Sequence, residues 1–329
     1  MKLQLLVPHY KEEPEEMLPL LDSIAIQQSV DFKEVGVIIA YDGDEATPLP
    51  MEEWAEKYPF EIKHIHRPHG GVSATRNAAL DEATAEYVMF CDADDCFCHV
   101  CGLYVIFQEA KIGFDTMVTC FIEETKHPET KETVYINHDM DSTFVHGKVH
   151  RRGYLFNSNI RFNPKLTIHE DSYFNILCQN LTTNAKYQPM PIYLWKWRDS
   201  SVCRHDPKYI LKTYTNLLDS NDALVDEFQR RGHDDKARFY VGFMIMDAYY
   251  TLNKKEWIDN TNAEYREKVM HRLKAYINKH RSQWDALSDR EKMAISNGVR
   301  VRSVNEGMPM ETMTLTEWLN QIENVKGEA

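Results

Sequence analysis

The first half of the chain alternates short apolar runs with amphipathic stretches. Leu3 to Val7 reads as a buried strand that Pro8 stops, and Met17, Leu18, Leu20, Leu21, Ile24 and Ile26 then recur at helical spacing up to Gln28. Val35 to Ala40 is a second apolar run, ended by Asp42 and Gly43, and Glu61 to His66 is a weaker third. Gly71 to Ala85 has helix-forming composition. Tyr87 to Cys91 is a fourth strand, running into three carboxylates. Strand alternating with helix in this way predicts an α/β fold with a doubly wound, mostly parallel sheet covered by helices. Polar, glycine-bearing segments follow the apolar runs, so ligand groups should gather at the carboxyl ends of the strands.

Between about residues 115 and 200 the pattern changes. Asp115 to Glu123 and Thr133 to Ile136 read as strands, and the turn-rich KHPETKE between them predicts a hairpin. His169 to Leu181 reads as a helix and Ile192 to Trp197 as another strand. From about Pro207 the chain reads as almost wholly helical: DDKARFYVGFMIMDAYYTL has a broad apolar face, and AEYREKVMHRLKAYINKH is amphipathic. Two domains are expected, residues 1–206 and a helical domain over 207–329. Without a long Pro/Gly linker between them, they are expected to pack against each other.

Composition changes this picture little. An apolar fraction of 43% with 27% charged residues is ordinary for a globular chain long enough to bury a large core. The net charge of −13 speaks against a generic affinity for nucleic acid or anionic lipid. No run approaches the roughly 18 apolar residues of a membrane span, and MKLQLLVPHYKEE is unlike a signal peptide. The expected location is the cytoplasm, with peripheral attachment to a membrane as an option, and the seven cysteines are expected to stay reduced.

The strongest local chemistry is YVMFCDADDCF, where Asp92, Asp94 and Asp95 directly follow an apolar strand. Three adjacent carboxylates repel one another unless something positive sits among them, and hard oxygen donors suit Mg²⁺ or Mn²⁺. An isolated D-x-D is as a rule a solvated acidic turn, but this one is flanked by AYDGDEA and HRPHGGVSATRNAAL upstream. Downstream come HGKVHRRGYLFNSNIRF, IHEDSYFNIL and YLWKWRDSSVCRH. In this order the blocks resemble the family 2 glycosyltransferases, inverting enzymes of the GT-A fold that use a nucleotide-diphosphate sugar. LLVPHYKEE with LPLLDSIAIQQ is similar to that family's first strand and helix, and Gly71, Val72, Ser73, Arg76 and Asn77 form its most specific block. The resemblance covers roughly residues 3 to 205.

The resemblance implies a role for each block. The loop after the first strand contacts the nucleoside, which implies Pro8, Tyr10 and Glu12. The carboxylate after the second strand accepts hydrogen bonds from the base, which implies Asp42. The family's usual two acids before Gly are here Tyr41-Asp42-Gly43-Asp44, so Asp42 is chosen over Asp44 by position. Arg76 faces the nucleotide with a fixed charge. Asp92 and Ala93 belong to the sugar-nucleotide site, Asp92 holding the ribose or a metal-bound water. Asp94 ligates the metal, with Asp92 and His205 as further candidate ligands, and Asp95 is a helix N-cap or a supporting partner. Inversion needs a base opposite the leaving group. The family's E-D pair at a helix start implies Asp171 as base and Glu170 as a positioning or acceptor-binding group.

Three further features carry weaker signals. Lys148, Arg151 and Arg152 form a basic cluster, either solvated surface or a contact for an anionic acceptor or diphosphate. Trp195 and Trp197 share one strand face, as core or as an aromatic acceptor platform. Cys91, Cys96, Cys98, His99 and Cys101 lack two well-spaced C-x-x-C pairs, so they read as small, partly buried apolar residues rather than a zinc site.

The expected activity is therefore metal-dependent, inverting transfer from a nucleotide-diphosphate sugar, a UDP-sugar first. The acceptor is a hydroxyl on a glycan, a lipid-linked precursor or another macromolecule, with Mn²⁺ or Mg²⁺ as cofactor and a homodimer through the C-terminal helices as an option. The alternatives are transfer to hydroxylated bases in DNA, as phage enzymes do, which the net charge disfavours, a nucleotidyltransferase, or a non-catalytic sugar-nucleotide-binding protein. A nucleotidyltransferase would need a Gly-rich phosphate loop that VPHYKEEPEE lacks.

Overall fold

A computed structural model describes residues 1–198, 209–305 and 314–325. The chain divides into two compact units, Met1–Asp199 and Ser200–Ala329.

The first unit runs β1 (Leu3–His9), α1 (Pro14–Ala25), β2 (Val35–Asp42), α2 (Met51–Lys57), β3 (Glu61–Arg67), α3 (Gly71–Glu82), β4 (Tyr87–Phe90), β5 (Cys96–Phe97) and α4 (Gly102–Ile112). It continues through β6 (Thr116–Lys126), β7 (Thr133–His138), β8 (Lys148–Arg151), α5 (Arg152–Asn157), α6 (Glu170–Asn180) and β9 (Ala185–Trp195). These form one sheet in the order β3-β2-β1-β4-β8-β6-β9-β5, with β7 paired to β6. From β3 to β4 every pairing is parallel, as the βα alternation predicts. Beyond β4 the sheet is mixed: β8 runs antiparallel between β4 and β6, β6 pairs parallel with β9, and β6 and β7 make the expected hairpin.

Two details depart from the expected elements for physical reasons. β1 continues through Pro8 to His9. Leu6 accepts from the Cys91 N–H as β4 ends, so Pro8, two residues on and facing the same side, has no ladder partner for an N–H there. Gln4, inside the apolar run, is buried because its Oε1 accepts from the Thr84 and Ala85 N–H groups (2.7 and 2.8 Å) and anchors the loop into β4.

The basic cluster does not exist as a cluster. Lys148 is buried on the interior strand β8, its Nζ 3.3 Å from the His146 carbonyl and 3.8 Å from Asp141. Arg151 lies 4.0 Å from Asp115, and Arg152 Nε donates to the Ala85 carbonyl. Successive strand residues point to opposite faces, which separates charges that are neighbours in sequence.

The described part of the second unit is helical: α7 (Tyr209–Lys212), α8 (Tyr214–Arg230), α9 (Asp234–Leu252), α10 (Lys255–Asn260), α11 (Ala263–Lys279), α12 (Arg281–Asp285), α13 (Asp289–Asn305) and α14 (Leu315–Glu323). Leu218, Val225 and Phe228 of α8, Val241, Ile245 and Ala248 of α9, and Val269 and Leu273 of α11 are fully buried. They recur at three-, four- and seven-residue spacing, the stripe an amphipathic helix turns inward. No described helix is long and apolar enough to cross a membrane.

Candidate active site

One buried cation organises the site. Arg76 on α3 is 3% exposed, and its guanidinium reaches three carboxylates: Asp92 (Nη2 to Oδ1, 2.9 Å), Asp171 (Nη1 to Oδ1, 2.7 Å) and Glu170 (Nη1 to Oε1, 3.2 Å). The end of β4 is thereby joined to the start of α6, and the cation lies 5.2 Å from the Phe162 ring centre. Burial disfavours the guanidinium charge, but Asp171, Asp92 and Glu170 outweigh it and raise the Arg76 pKa. α6 starts from His169, which takes the left-handed conformation (φ 63°), and places Glu170 and Asp171 in the first turn, where the helix dipole favours negative charge. Asp171 Oδ2 also accepts from the Val145 N–H at 3.3 Å. Burial and the Asp171 charge, opposed by Arg76, push the Glu170 carboxyl up to about 8.

The carboxylates after β4 differ sharply in their surroundings. Asp92 receives Arg76, while its own N–H donates to Tyr193 Oη at 2.9 Å. Asp94 pairs with Arg198 (Nε to Oδ2, 2.6 Å); burial and the Asp92 charge still push its carboxyl up to about 6. Asp95 is completely buried and accepts from Tyr193 Oη (2.8 Å) and the Lys196 N–H (2.9 Å). Burial, then Asp94 and Asp92, drive its pKa well above the carboxylate range. It caps no helix: the next one, α4, starts at Gly102, and Asp95 instead ties the D-A-D-D turn to β9.

Beside Asp95 lies His146, 3% exposed, its ring stacked between Phe144 (5.6 Å, 14°) and Tyr193 (5.2 Å, 17°). Its Nδ1 is buried without a hydrogen-bond partner, 3.7 Å from Asp95 Oδ2. Burial lowers the imidazole pKa to about 4, so the ring is neutral. One donor atom each from Asp92, Asp95 and His146 lie within 4.8 Å of one another. Two carboxylates facing an orphaned neutral imidazole nitrogen suit a divalent cation. His146, Tyr193 and Arg198 lie within the blocks HGKVHRRGYLFNSNIRF and YLWKWRDSSVCRH, but sequence reasoning gave them no role of their own.

The residues assigned to the nucleoside lie along the ends of β1 and β2. Glu12 accepts from the Tyr10 N–H (2.9 Å) and contacts His9 Nδ1 (3.1 Å). Burial works against its charge, but these bonds outweigh it and hold its carboxyl below the usual range. Tyr10 packs 5.2 Å from His69, and Pro8 precedes it at the end of β1. Asp42 is buried at the end of β2, accepting from Arg67 and from the Gly70 and Gly71 N–H groups, both at 2.9 Å. Burial again opposes its charge, and the bond from Gly70 leads those that lower its pKa. Gly43, with φ 96°, makes the turn, and a Cβ there would sit 2.9 Å from the His69 Cβ. Asp44 is exposed beyond that turn. Ala93 is buried between Asp92 and Asp94.

His205 lies outside the described residues. The described cysteines are unpaired, and Cys91, Cys96, Cys98 and Cys101 form no metal-holding group among the described residues. Trp195 is half-buried against Phe144 and His146.

Residues 5–177, from β1 through most of α6, match the family model described as glycosyl transferase family 2. The chain belongs to that family. Among curated relatives, the minor teichoic acid biosynthesis protein GgaB of Bacillus subtilis is 23% identical over 67% of this chain and 26% of its own length. The putative glycosyltransferase EpsH of the same organism is 24% identical over 59% of this chain and 61% of its own. This chain thus spans about a quarter of the first relative and three fifths of the second. Among solved structures, the 1–349 fragment of Staphylococcus aureus TarS in complex with UDP-GlcNAc aligns over 93% of this chain and 92% of its own, at 16% identity and a TM-score of 0.63. At that identity the likeness concerns the fold, and it supports the GT-A reading of the α/β sheet together with its helical C-terminal region. The family match covers the Arg76–Asp92–Glu170–Asp171 grouping.

Proposed function

We propose that the protein is a divalent-cation-dependent, inverting glycosyltransferase. It moves a sugar from a UDP-sugar to a hydroxyl on a glycan, lipid-linked or other macromolecular acceptor. The observation that carries the reading is the convergence of Asp92, Glu170 and Asp171 on buried Arg76, which brings a candidate base beside the D-A-D-D turn. The UDP and UDP-GlcNAc complexes of TarS favour uridine as the nucleoside.

In this reading Pro8, Tyr10, Glu12 and Asp42 bind the nucleoside, and Asp92 and Ala93 lie against the ribose and sugar. Asp94 and Asp92, with His205 as a further candidate, would hold Mn²⁺ or Mg²⁺, which when bound would supply positive charge to offset the departing diphosphate. Asp171 takes the acceptor hydroxyl's proton. Arg76 and the Val145 N–H fix the carboxylate on both oxygens, so its orientation is set before the acceptor arrives. Glu170, whose carboxyl is raised by burial and by the Asp171 charge, suits positioning the acceptor by hydrogen bonding rather than abstracting its proton.

The test is a pair of constants for Asp171→Asn. Turnover with a UDP-sugar and a true acceptor should fall about 10²–10⁴-fold, with UDP affinity nearly unchanged. Near-normal turnover would move the base elsewhere, and lost UDP affinity would place Asp171 in the donor site. A screen of nucleotide sugars with Mn²⁺ for slow hydrolysis identifies the donor.

A further inference from the structure

Asn175 lies on α6 one turn after Asp171, so the two side chains share a face of the helix. It is fully buried, and its Nδ2 donates to two successive carbonyls in the segment between β7 and β8, those of Thr143 (2.9 Å) and Phe144 (2.8 Å). Both partners can only accept, which fixes the end of the amide that faces them. Its Oδ1 is left buried without a hydrogen-bond partner among the described residues.

The Phe144 carbonyl and the Val145 N–H belong to one peptide group, and that N–H donates to Asp171 Oδ2 at 3.3 Å. A planar trans peptide points its carbonyl and its N–H in opposite directions. Asn175 therefore grips one end of the group and Asp171 the other. Turned over, the same peptide would set a carbonyl oxygen against the Asp171 carboxylate and an N–H against the Asn175 amide donor. The segment is pinned on its near side as well, where the Thr143 and Phe144 N–H groups donate to Asp141 Oδ1 at 2.8 and 3.0 Å.

We propose that Asn175 is a positioning residue for the transfer reaction. It locks the Phe144–Val145 peptide with its N–H turned to Asp171, and so holds that carboxylate in the orientation that takes the acceptor's proton. The proposal rests on Asp171 being the base, as read above. Arg76 holds Oδ1, but one contact alone leaves the carboxylate plane free to turn, and the Val145 N–H on Oδ2 removes that freedom. A donor on the Phe144 carbonyl also polarises the peptide and strengthens the bond that its N–H makes to the carboxylate.

The lock can be read without turnover in the full-length protein labelled with ¹⁵N-valine, the Val145 signal being identified by its loss in Val145→Ile. In wild type the Val145 amide proton should lie downfield, as an N–H donating to a carboxylate does. Asn175→Leu, of similar size but without the donors, should move it upfield. Turnover is then followed as UDP release from UDP-GlcNAc with Mn²⁺, or from the donor that the hydrolysis screen selects, with water as acceptor. In that step the water oxygen bonds to the anomeric carbon, the bond to the diphosphate breaks, and Asp171 takes the water proton. Asn175→Leu should lower kcat about 10- to 100-fold, the scale of a misplacement of about 1 Å among reacting groups. KM for the donor and UDP affinity should stay nearly unchanged. In the Asp171→Asn background the same substitution should have almost no effect, since no base is left to position. A residue that only supports folding would lower turnover by the same factor in both backgrounds.

If Asn175→Leu fails to fold, Asn175→Ser, which keeps one donor, takes its place and should give a smaller loss with the same pattern. An unmoved Val145 signal, an unchanged kcat, or equal losses in the two backgrounds overturns the role of Asn175 and leaves the base assignment intact. Near-normal turnover of Asp171→Asn alone, or a wild type that turns over no nucleotide sugar, overturns both.

Discussion

Two carboxylate clusters, one in each unit, use the same residue types to opposite ends. Around Arg76 one cation serves Asp92, Glu170 and Asp171. Around Asp222, on α8, one carboxylate is served by Arg272 (2.7 Å), Lys279 (2.7 Å) and His280 (2.6 Å) from α11 and the residue after it. The first cluster is short of positive charge: Glu170 and Asp94 are pushed up to about 8 and about 6, mainly by burial and neighbouring acids. The second is rich in it: burial opposes the Asp222 charge, but His280, Lys279 and Arg272 depress its pKa far below the usual range. Asp222, Asp226 and His280 also bring donor atoms within 4.8 Å, yet their cations already occupy the carboxylates. Proximity of ligating residues is therefore not enough to suggest a metal site. The partnerless Nδ1 of His146 is what separates the Asp92–Asp95–His146 group from its C-terminal counterpart.

The contrast can be broken at its centre. Arg76→Gln should leave three acids without their shared cation, and breaking a buried ion pair in this way typically costs about 3–5 kcal/mol. Urea unfolding should show that loss; a change under about 1 kcal/mol would mean the acids do not depend on Arg76. Asp222→Asn removes one carboxylate from an excess of cations at a site 16% exposed. It should cost less, about 1.5–3 kcal/mol, the range for hydrogen bonds to charged groups.

The pH dependences should run in opposite directions. Asp222 is depressed in the folded state, so its contribution is complete above the unfolded value near 4 and fades as pH falls below it. The stability gap between wild type and Asp222→Asn should therefore close in acid. Glu170 is raised, so the folded state binds a proton that the unfolded chain has lost between about 4.5 and 8. Stability falls as pH rises through that window, and Glu170→Gln should gain on wild type across it. Parallel slopes for the two variants would dissolve the comparison. The smallest effect belongs to Asp226, 2.7 Å from Lys279 but 52% exposed. Asp226→Asn should change stability by no more than about 1 kcal/mol.

Much of the first unit is legible because its physics is local. The apolar runs at Val35 and Tyr87 are strands buried on both faces, and the composition from Gly71 predicts α3. The hairpin β6–β7 follows from its turn residues. β8 was not legible: Lys148-Val149-His150-Arg151 has no apolar alternation, and it forms a strand because β4 and β6 hold it on both sides. The Lys148–Arg152 run looked like one patch for the same reason, since a linear reading does not see the pleat that separates the side chains.

The candidate site divides along the same line. Residue type marks Asp92, Asp94 and Asp95 as acids after an apolar strand, whereas Arg76, Glu170 and Asp171 stand out only through the resemblance to the family 2 glycosyltransferases. Which acid meets which cation was decided by the tertiary structure. Arg76 and Asp171 lie 95 residues apart in the chain and 2.7 Å apart in space. His146 acquires meaning only when Phe144 and Tyr193 stack on it and turn its nitrogen towards Asp95. Propensity and periodicity act over one or two turns of chain. Burial, charge pairing and orphaned donors are properties of the packed whole, and they set which of these acids keep a proton and which are paired.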